Sequence, residues 1–239
     1  MENRCVNSRR YLAAFDLDGT LAELGQPVTP HNVSLLKRLS DNAVIALSSG
    51  KPTYYLCGFA RQLGASEAVL IGENGCAMQF GVALPPAQNI YFTSSETAVK
   101  QLDFARKAIP ALFPEGIWCQ PNEVMFTPFP TTEKQFRAIR AFNRDNASEF
   151  DALDIYEHCD SFDYVPRGVN KRTALESLAA RLGVPRERVI AVGDGVNDYP
   201  MLGFAGISVG IRLAHPDKAE FNFDNLTDAL SFLIGRTEE

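Results

Sequence analysis

The chain has 239 residues, a formal net charge of −6, and 46% hydrophobic against 22% charged residues, an ordinary globular balance that supplies either one large domain or a core with a smaller second domain. No Lys/Arg-rich run occurs, which argues against a nucleic-acid partner, and the apolar stretches fall short of the roughly 20 residues that cross a bilayer. Too few apolar residues follow the basic stretch Met1 to Arg10 for an export signal, and Cys5, Cys57, Cys76, Cys119 and Cys159 show no Cys-x-x-Cys spacing, so the sequence predicts a cytoplasmic protein with free thiols and no zinc site.

Tyr11 to Phe15 reads as a short buried strand. Thr29-Pro30 reads as an N-cap with proline at the first helical position, and Val33, Leu36 and Leu39 give the helix behind it an apolar face. Ala43 to Leu47 is a second apolar strand, Thr53 to Leu63 a helix stopped by Gly64, and Ala68 to Ile71 a third strand running into the turn Glu73-Asn74-Gly75. This alternation predicts parallel strands joined by right-handed crossovers. The character changes at Pro85-Pro86. Helices are expected at Glu96 to Ile109 and Glu133 to Phe142. Short strands are expected at Ile90 to Thr93, Ile117 to Gln120, Val124 to Thr127, Ile155 to His158 and Phe162 to Val165, with Trp118 in the core of this part. The mixture describes a small inserted α+β domain. The first pattern then resumes with a helix from Arg172 to Leu182 stopped by Gly183, strands at Val189 to Val192 and Gly206 to Val209, and a closing helix from Asp224, its N-cap, to Leu233.

The chemistry concentrates where strands end. Phe15-Asp16-Leu17-Asp18-Gly19-Thr20-Leu21 puts a carboxylate at the carboxyl edge of the first strand, where open α/β sheets bind ligands. Of two carboxylates two residues apart, one can attack phosphorus while the other shuttles the proton. Gly193-Asp194-Gly195-Val196-Asn197-Asp198 follows another apolar strand in the same manner. Asp16, Asp18, Asp194 and Asp198 crowded together would repel one another and a phosphate dianion, and a hard dication with oxygen ligands removes both difficulties. At Ser49-Gly50-Lys51 a hydroxyl and a backbone N–H at a helix start suit a phosphoryl oxygen. Lys171 precedes a helix, where a cation is mildly unfavourable and calls for a reason. A tight turn is sufficient explanation of Glu73-Asn74-Gly75, and His31, His158 and His215 form no ligand spacing.

These strings resemble the motifs of the haloacid dehalogenase superfamily of phosphatases: Asp-x-Asp-Gly-Thr at Asp16, Gly-Asp-x-x-Asn-Asp at Gly193, Ser49-Gly50-Lys51 where a related branch usually has Thr-Gly-Arg, and Lys171 at the return from the insertion. The resemblance runs from Asp16 to Asp198, and the place of the insertion matches the branch with a C2-type cap, which includes Cof-like sugar phosphatases and phosphoglycolate and sucrose-phosphate phosphatases. It implies an α/β fold, with a Rossmann-like doubly wound parallel sheet core over residues 1–84 and 167–239 and a small α+β cap over residues 85–166. The implied activity is Mg²⁺-dependent hydrolysis of a small phosphorylated metabolite, a sugar phosphate or a phosphoglycolate-like ester. Asp16 would be the nucleophile and Asp18 the acid and base. Asp16, Asp18 (by its carbonyl) and Asp194 would hold the metal, with Asp198 either a further ligand or the partner of Lys171. Ser49, Gly50, Lys171 and Asn197 would grip the phosphoryl oxygens. Polar cap positions such as Gln120, Asn122 and Glu123 are expected to set specificity. A phosphomutase or phosphotransferase of the same superfamily, with a hydroxyl as acceptor, is the alternative activity, and a catalytically silent phosphate-ligand sensor is the alternative from another class. The sequence leaves the oligomeric state open.

Overall fold

A computed structural model describes residues 11–238. In chain order the elements are β1 (Tyr11–Phe15), α1 (Pro30–Ser40), β2 (Ala43–Ser48), α2 (Thr53–Gln62), β3 (Val69–Gly72), β4 (Ala77–Phe80), β5 (Asn89–Tyr91), α3 (Glu96–Ala111), β6 (Trp118–Gln120), β7 (Thr127–Phe129), α4 (Glu133–Asp145), β8 (Leu153–Glu157), β9 (Phe162–Pro166), α5 (Lys171–Leu182), β10 (Val189–Gly193), α6 (Tyr199–Phe204), β11 (Ile207–Ile211), β12 (Phe221–Phe223) and α7 (Leu226–Glu238). The chain divides into two compact units. One runs to Ile90 and resumes at Asn170; the other is Tyr91–Val169.

The first unit is built on a sheet of order β12-β11-β10-β1-β2-β3-β4-β5, parallel from β12 to β3 and antiparallel between β3 and β4. Parallel strands are covered on both faces and so read as continuous apolar runs, which is why β1 and β10 are almost wholly buried. Along β1 and its neighbours, Phe15, Leu47, Leu70 and Val192 join Leu36 and Leu39 of α1, Leu56 of α2 and Leu230 and Leu233 of α7 in one core. Truncating a fully buried member such as Leu39 to alanine removes about 2–5 kcal/mol. Local signals fix where the helices begin and end. The Thr29 hydroxyl accepts from the Asn32 N–H, and Pro30 takes the first turn of α1. Asn170 and Thr173 form a reciprocal capping box at the start of α5, and Gly183 ends it in the left-handed conformation.

Register positions the site. Phe15 stands opposite both Leu47 of β2 and Val192 of β10, so the three central strands end level and their following loops emerge together.

In the second unit α3 and α4 pack on two antiparallel ribbons, β6–β7 and β8–β9, which meet where Phe126 and Tyr164 exchange backbone hydrogen bonds. Leu102, Ile109, Ile139, Phe150, Phe162 and Tyr164 form its core.

Three sequence expectations shift. The strand expected at Val124 to Thr127 lies at Thr127–Phe129, because the Arg106 guanidinium takes the Val124 and Met125 carbonyls before a ladder can. Trp118 is not core: it lies on edge strand β6, 59% exposed, edge-on to Phe129. Asn225, not Asp224, caps α7, its side-chain oxygen accepting from the Asp228 N–H at 3.0 Å. β12, unsigned in the sequence, is held by the rings of Phe221 and Phe223 on Phe232 of α7. Cys57, Cys76, Cys119 and Cys159 are free thiols, and Cys5 lies outside the described residues. No helix among the described residues is long and apolar enough to cross a membrane.

His158 gives the second unit a pH-dependent contact. Its Nε2 lies 3.2 Å from Asp163 Oδ2, and this hydrogen bond, aided by the charge of Asp160, outweighs partial burial and holds the imidazole above its ordinary pKa of 6.5. A raised pKa means that the folded state favours the protonated ring. The stabilisation is therefore complete below the ordinary value and fades as pH rises through the raised one. His158→Gln is expected to lower the melting temperature at about pH 5.5, with the deficit shrinking toward about pH 9. An equal deficit at both pH values would remove the ion pair from this account.

Candidate active site

β1 hands the chain directly to Asp16, whose N–H continues the ladder to the Val192 carbonyl at 2.9 Å. The loop then folds back on itself, with Leu21 N–H donating to Leu17 and Gly19 N–H to Ala22. Gly19 has φ +92°, and a Cβ there would run into the Asp194 carboxylate, so both conformation and space demand glycine. The adjacent Thr20 hydroxyl donates to Asp194 Oδ1 at 2.7 Å and ties the loop after β1 to the loop after β10.

Asp198 lies on the turn that follows β10. Its Oδ2 accepts the N–H groups of Asp194 and Gly195 at 3.1 and 3.0 Å, and its Oδ1 accepts from Lys171 Nζ at 2.6 Å. Lys171 opens α5, is 1% exposed, and also donates to Asp16 Oδ1 at 2.5 Å. The structure thus brings Asp16, Lys171, Asp194 and Asp198 into one cluster, with carboxylate oxygens of the three acids within 4.8 Å of one another.

Three carboxylates against one ammonium leave an excess of negative charge in a buried place. Burial raises the pKa of Asp16; the charge and hydrogen bond of Lys171 oppose that, and the nearby Asp194 adds to it. Asp198 is raised by burial first, again against Lys171 and with Asp16 adding. For Lys171, burial works to discharge the ammonium, but the two carboxylates it touches win and hold it well above its usual range. Such a pair is far more costly to break than it was to form: removing one partner of a buried ion pair removes about 3–5 kcal/mol, because the other is left unpaired. An all-oxygen donor set with residual negative charge suits a hard divalent cation such as Mg²⁺.

The remaining candidates stand around this cluster. Ser49 follows β2, is buried, and its hydroxyl accepts the Lys51 N–H at 3.2 Å. Lys51 Nζ reaches to 4.0 Å from Asp18 Oδ2. Gly50 backs onto the Asn74 side chain. Asn197 is exposed, one residue before Asp198 on the same turn.

Two supports escape the sequence reading. The Glu73-Asn74-Gly75 turn is more than a link to β4. Glu73 N–H donates to Lys51 and Asn74 N–H to Ser49, with left-handed φ values of 56° and 53° at Glu73 and Asn74, while a Cβ on Gly75 would strike the Asn170 carbonyl. One turn thereby braces both the Ser49 loop and the start of α5, and the only hint of this in the sequence is the Asn-Gly pair. Arg212 has a left-handed φ of 49° after β11, and its guanidinium donates to the Gly19 carbonyl at 3.2 Å and to Glu23 at 2.6 Å. No local pattern signals a contact between residues so far apart in the chain.

The sequence pattern of the haloacid dehalogenase-like hydrolases matches residues 13–111 and 119–221. The phosphoglycolate phosphatase of Natronomonas pharaonis is 30% identical over 94% of each chain. Among solved structures, a haloacid dehalogenase-like hydrolase from Bacteroides thetaiotaomicron superposes with a TM-score of 0.73 at 19% identity, covering 94% of this chain and 99% of that one. The trehalose-6-phosphate phosphatase of Aspergillus fumigatus superposes with a TM-score of 0.62 at 18% identity, covering 97% and 94%.

The charge excess has a measurable consequence at Asp194. Burial holds its pKa above 3.8, with the Thr20 hydrogen bond opposing and the charge of Asp198 adding. A carboxyl raised in the folded state favours folding most when protonated. That benefit is lost as pH rises through the raised value, so at neutral pH the charge works against the fold. In chelator at neutral pH, Asp194→Asn is expected to melt above the wild type. A lower melting temperature would mean that the loop needs the carboxylate itself.

Proposed function

We propose, for a chain that belongs to the haloacid dehalogenase-like hydrolase family and is a phosphatase of small phosphorylated substrates, that hydrolysis is Mg²⁺-dependent and passes through an aspartyl-phosphate on Asp16. The observation that carries the reading is the buried Lys171 ammonium held between Asp16 and Asp198 at the end of β1. A structural ion pair has no need of a third carboxylate beside it, whereas a phosphoryl site needs a nucleophile, a fixed cation and a metal-binding acid together.

In the first step an Asp16 carboxylate oxygen attacks phosphorus, the bond from phosphorus to the ester oxygen breaks, and Asp18 gives its proton to that oxygen. In the second, Asp18 takes a proton from water, the hydroxide attacks phosphorus, and Asp16 is released with inorganic phosphate. Lys171 keeps Asp16 ionised against its burial and offsets charge on the phosphoryl oxygens, which Ser49, Gly50 and Asn197 also hold. Asp16, Asp194 and the Asp18 carbonyl would hold Mg²⁺, whose contribution when bound is to neutralise the phosphoryl charge. Asp198 serves as the partner of Lys171, since both of its oxygens already accept hydrogen bonds. In-line phosphoryl transfer asks little covalent chemistry of a protein, so positioning and charge supply most of the rate.

The activities of the relatives support a sugar phosphate or a phosphoglycolate-like ester as substrate, and in this reading the unit Tyr91–Val169 corresponds to the cap. Free thiols support a reducing, cytoplasmic setting.

Asp16→Asn keeps the shape but removes the nucleophile. Its phosphate release is expected to fall to about a thousandth of wild type or lower, with an unchanged circular dichroism spectrum. A variant that kept a tenth of the rate, about ten-fold short of wild type, would place the nucleophile elsewhere.

Activity is expected to disappear in chelator, return with Mg²⁺, and return poorly with Ca²⁺, which prefers more ligands at longer distances. Undiminished turnover in chelator would overturn the metal assignment.

A further inference from the structure

We propose that a cleft within the first unit, beginning at Asp18, receives the alcohol half of the substrate, and that this alcohol is uncharged and carries a ring. The inference rests on the reading of Asp18 as the acid, and it narrows the two substrate classes proposed above to the ring-bearing one. The cleft has a volume of about 400 Å³. One wall is a stripe of α2, where Tyr55, Phe59 and Gln62 are spaced four and three residues apart and so share a helix face. The facing wall is Val28, before α1, and Val33, in its first turn. Asp18 stands in the lining itself.

Three physical arguments join the cleft to the reaction. In-line displacement fixes the direction: the leaving oxygen lies opposite the attacking Asp16, at the proton donor, so the carbon skeleton bonded to it continues from Asp18. Size sets the second limit. Ligand pockets run from about 300 to 1,000 Å³, and this one, at the low end, holds a single ring. Charge sets the third. Among the described residues Asp18 is the only charged side chain lining the cleft, and the Lys51 ammonium stands 4.0 Å from its Oδ2. A second anionic group on the alcohol would enter beside a carboxylate and compete with it for the Lys51 ammonium. The Tyr55 and Phe59 rings offer apolar faces, and the Gln62 amide offers a donor and an acceptor to a ring substituent. Specificity would then reside partly in the α/β unit and not solely in the insertion, where the sequence placed it.

The test compares kcat/KM for three phosphoryl compounds: benzyl phosphate, with a neutral ring alcohol that is not activated as a leaving group; phosphoglycolate, whose alcohol carries a carboxylate; and acetyl phosphate, an acyl phosphate too small to reach the walls. The wild type is expected to favour benzyl phosphate over phosphoglycolate by about ten-fold or more, the scale on which apolar pockets discriminate. Tyr55→Ala, which strips one wall at a side chain 47% exposed, and Gln62→Trp, which fills the cleft from an exposed position, should each lower the ratio of benzyl to acetyl phosphate turnover by about ten-fold. Tyr54→Ala, an exposed neighbour outside the lining, should leave that ratio at its wild-type value. Phosphoglycolate turned over as well as benzyl phosphate, or a ratio unmoved by both cleft variants, overturns the cleft assignment and leaves the phosphatase reading standing. Hydrolysis of none of the three compounds overturns the phosphatase reading and the cleft with it.

Discussion

The rest of the active unit depends on one buried ammonium. Lys171 is 1% exposed, stands at a helix start where a cation is unfavourable, and is surrounded by more negative charge than it can neutralise. Each neighbouring device keeps it there. Asn170 and Thr173 fix the first turn of α5, the Gly75 turn presses on the Asn170 carbonyl, and Asp198 divides its two oxygens between Nζ and the backbone after β10. The arrangement is strained electrostatically, which under the proposed reaction suits a site that would receive a further cation and a phosphate dianion. Stability is given up locally in exchange for a field that is already oriented before substrate arrives.

The sheet makes such a concentration possible. β1, β2 and β10 end level, so the loops that follow them, from distant parts of the sequence, meet at one edge. Apolar runs bury the strands up to the residue before each acid, as Phe15 precedes Asp16 and Val192 and Gly193 precede Asp194. The change from apolar to acidic along a few residues therefore does two jobs: it ends the strand and places the carboxylate. The clamp of Arg212 on the Gly19 carbonyl adds a lateral restraint that no strand supplies.

That coupling explains what was legible in the sequence. Asp16, Asp194, Asp198 and Lys171 were readable because each sits in a short string whose spacing is local, and the elements carrying them obey helix and strand periodicity. Arg212 was not, because its partner is remote and its own neighbours show no pattern. The bracing by Glu73 and Asn74 was hidden for a related reason: it acts through backbone N–H groups, which every residue possesses. In the second unit, Val124 and Met125 had the composition of a strand, but a side chain from α3 claimed their carbonyls. The cleft beside Asp18 draws on three separated segments and exists only once α1 and α2 are in place.

Trp118, displaced from the expected core to an exposed edge against Phe129, has a consequence for spectroscopy. It is the single tryptophan of the chain and lies in the Tyr91–Val169 unit, while the α/β unit has none. Indole emission therefore reports on one unit alone, and far-ultraviolet dichroism on both. A mismatch between the two signals during denaturation would resolve the units as separate cooperative bodies, without any label being introduced.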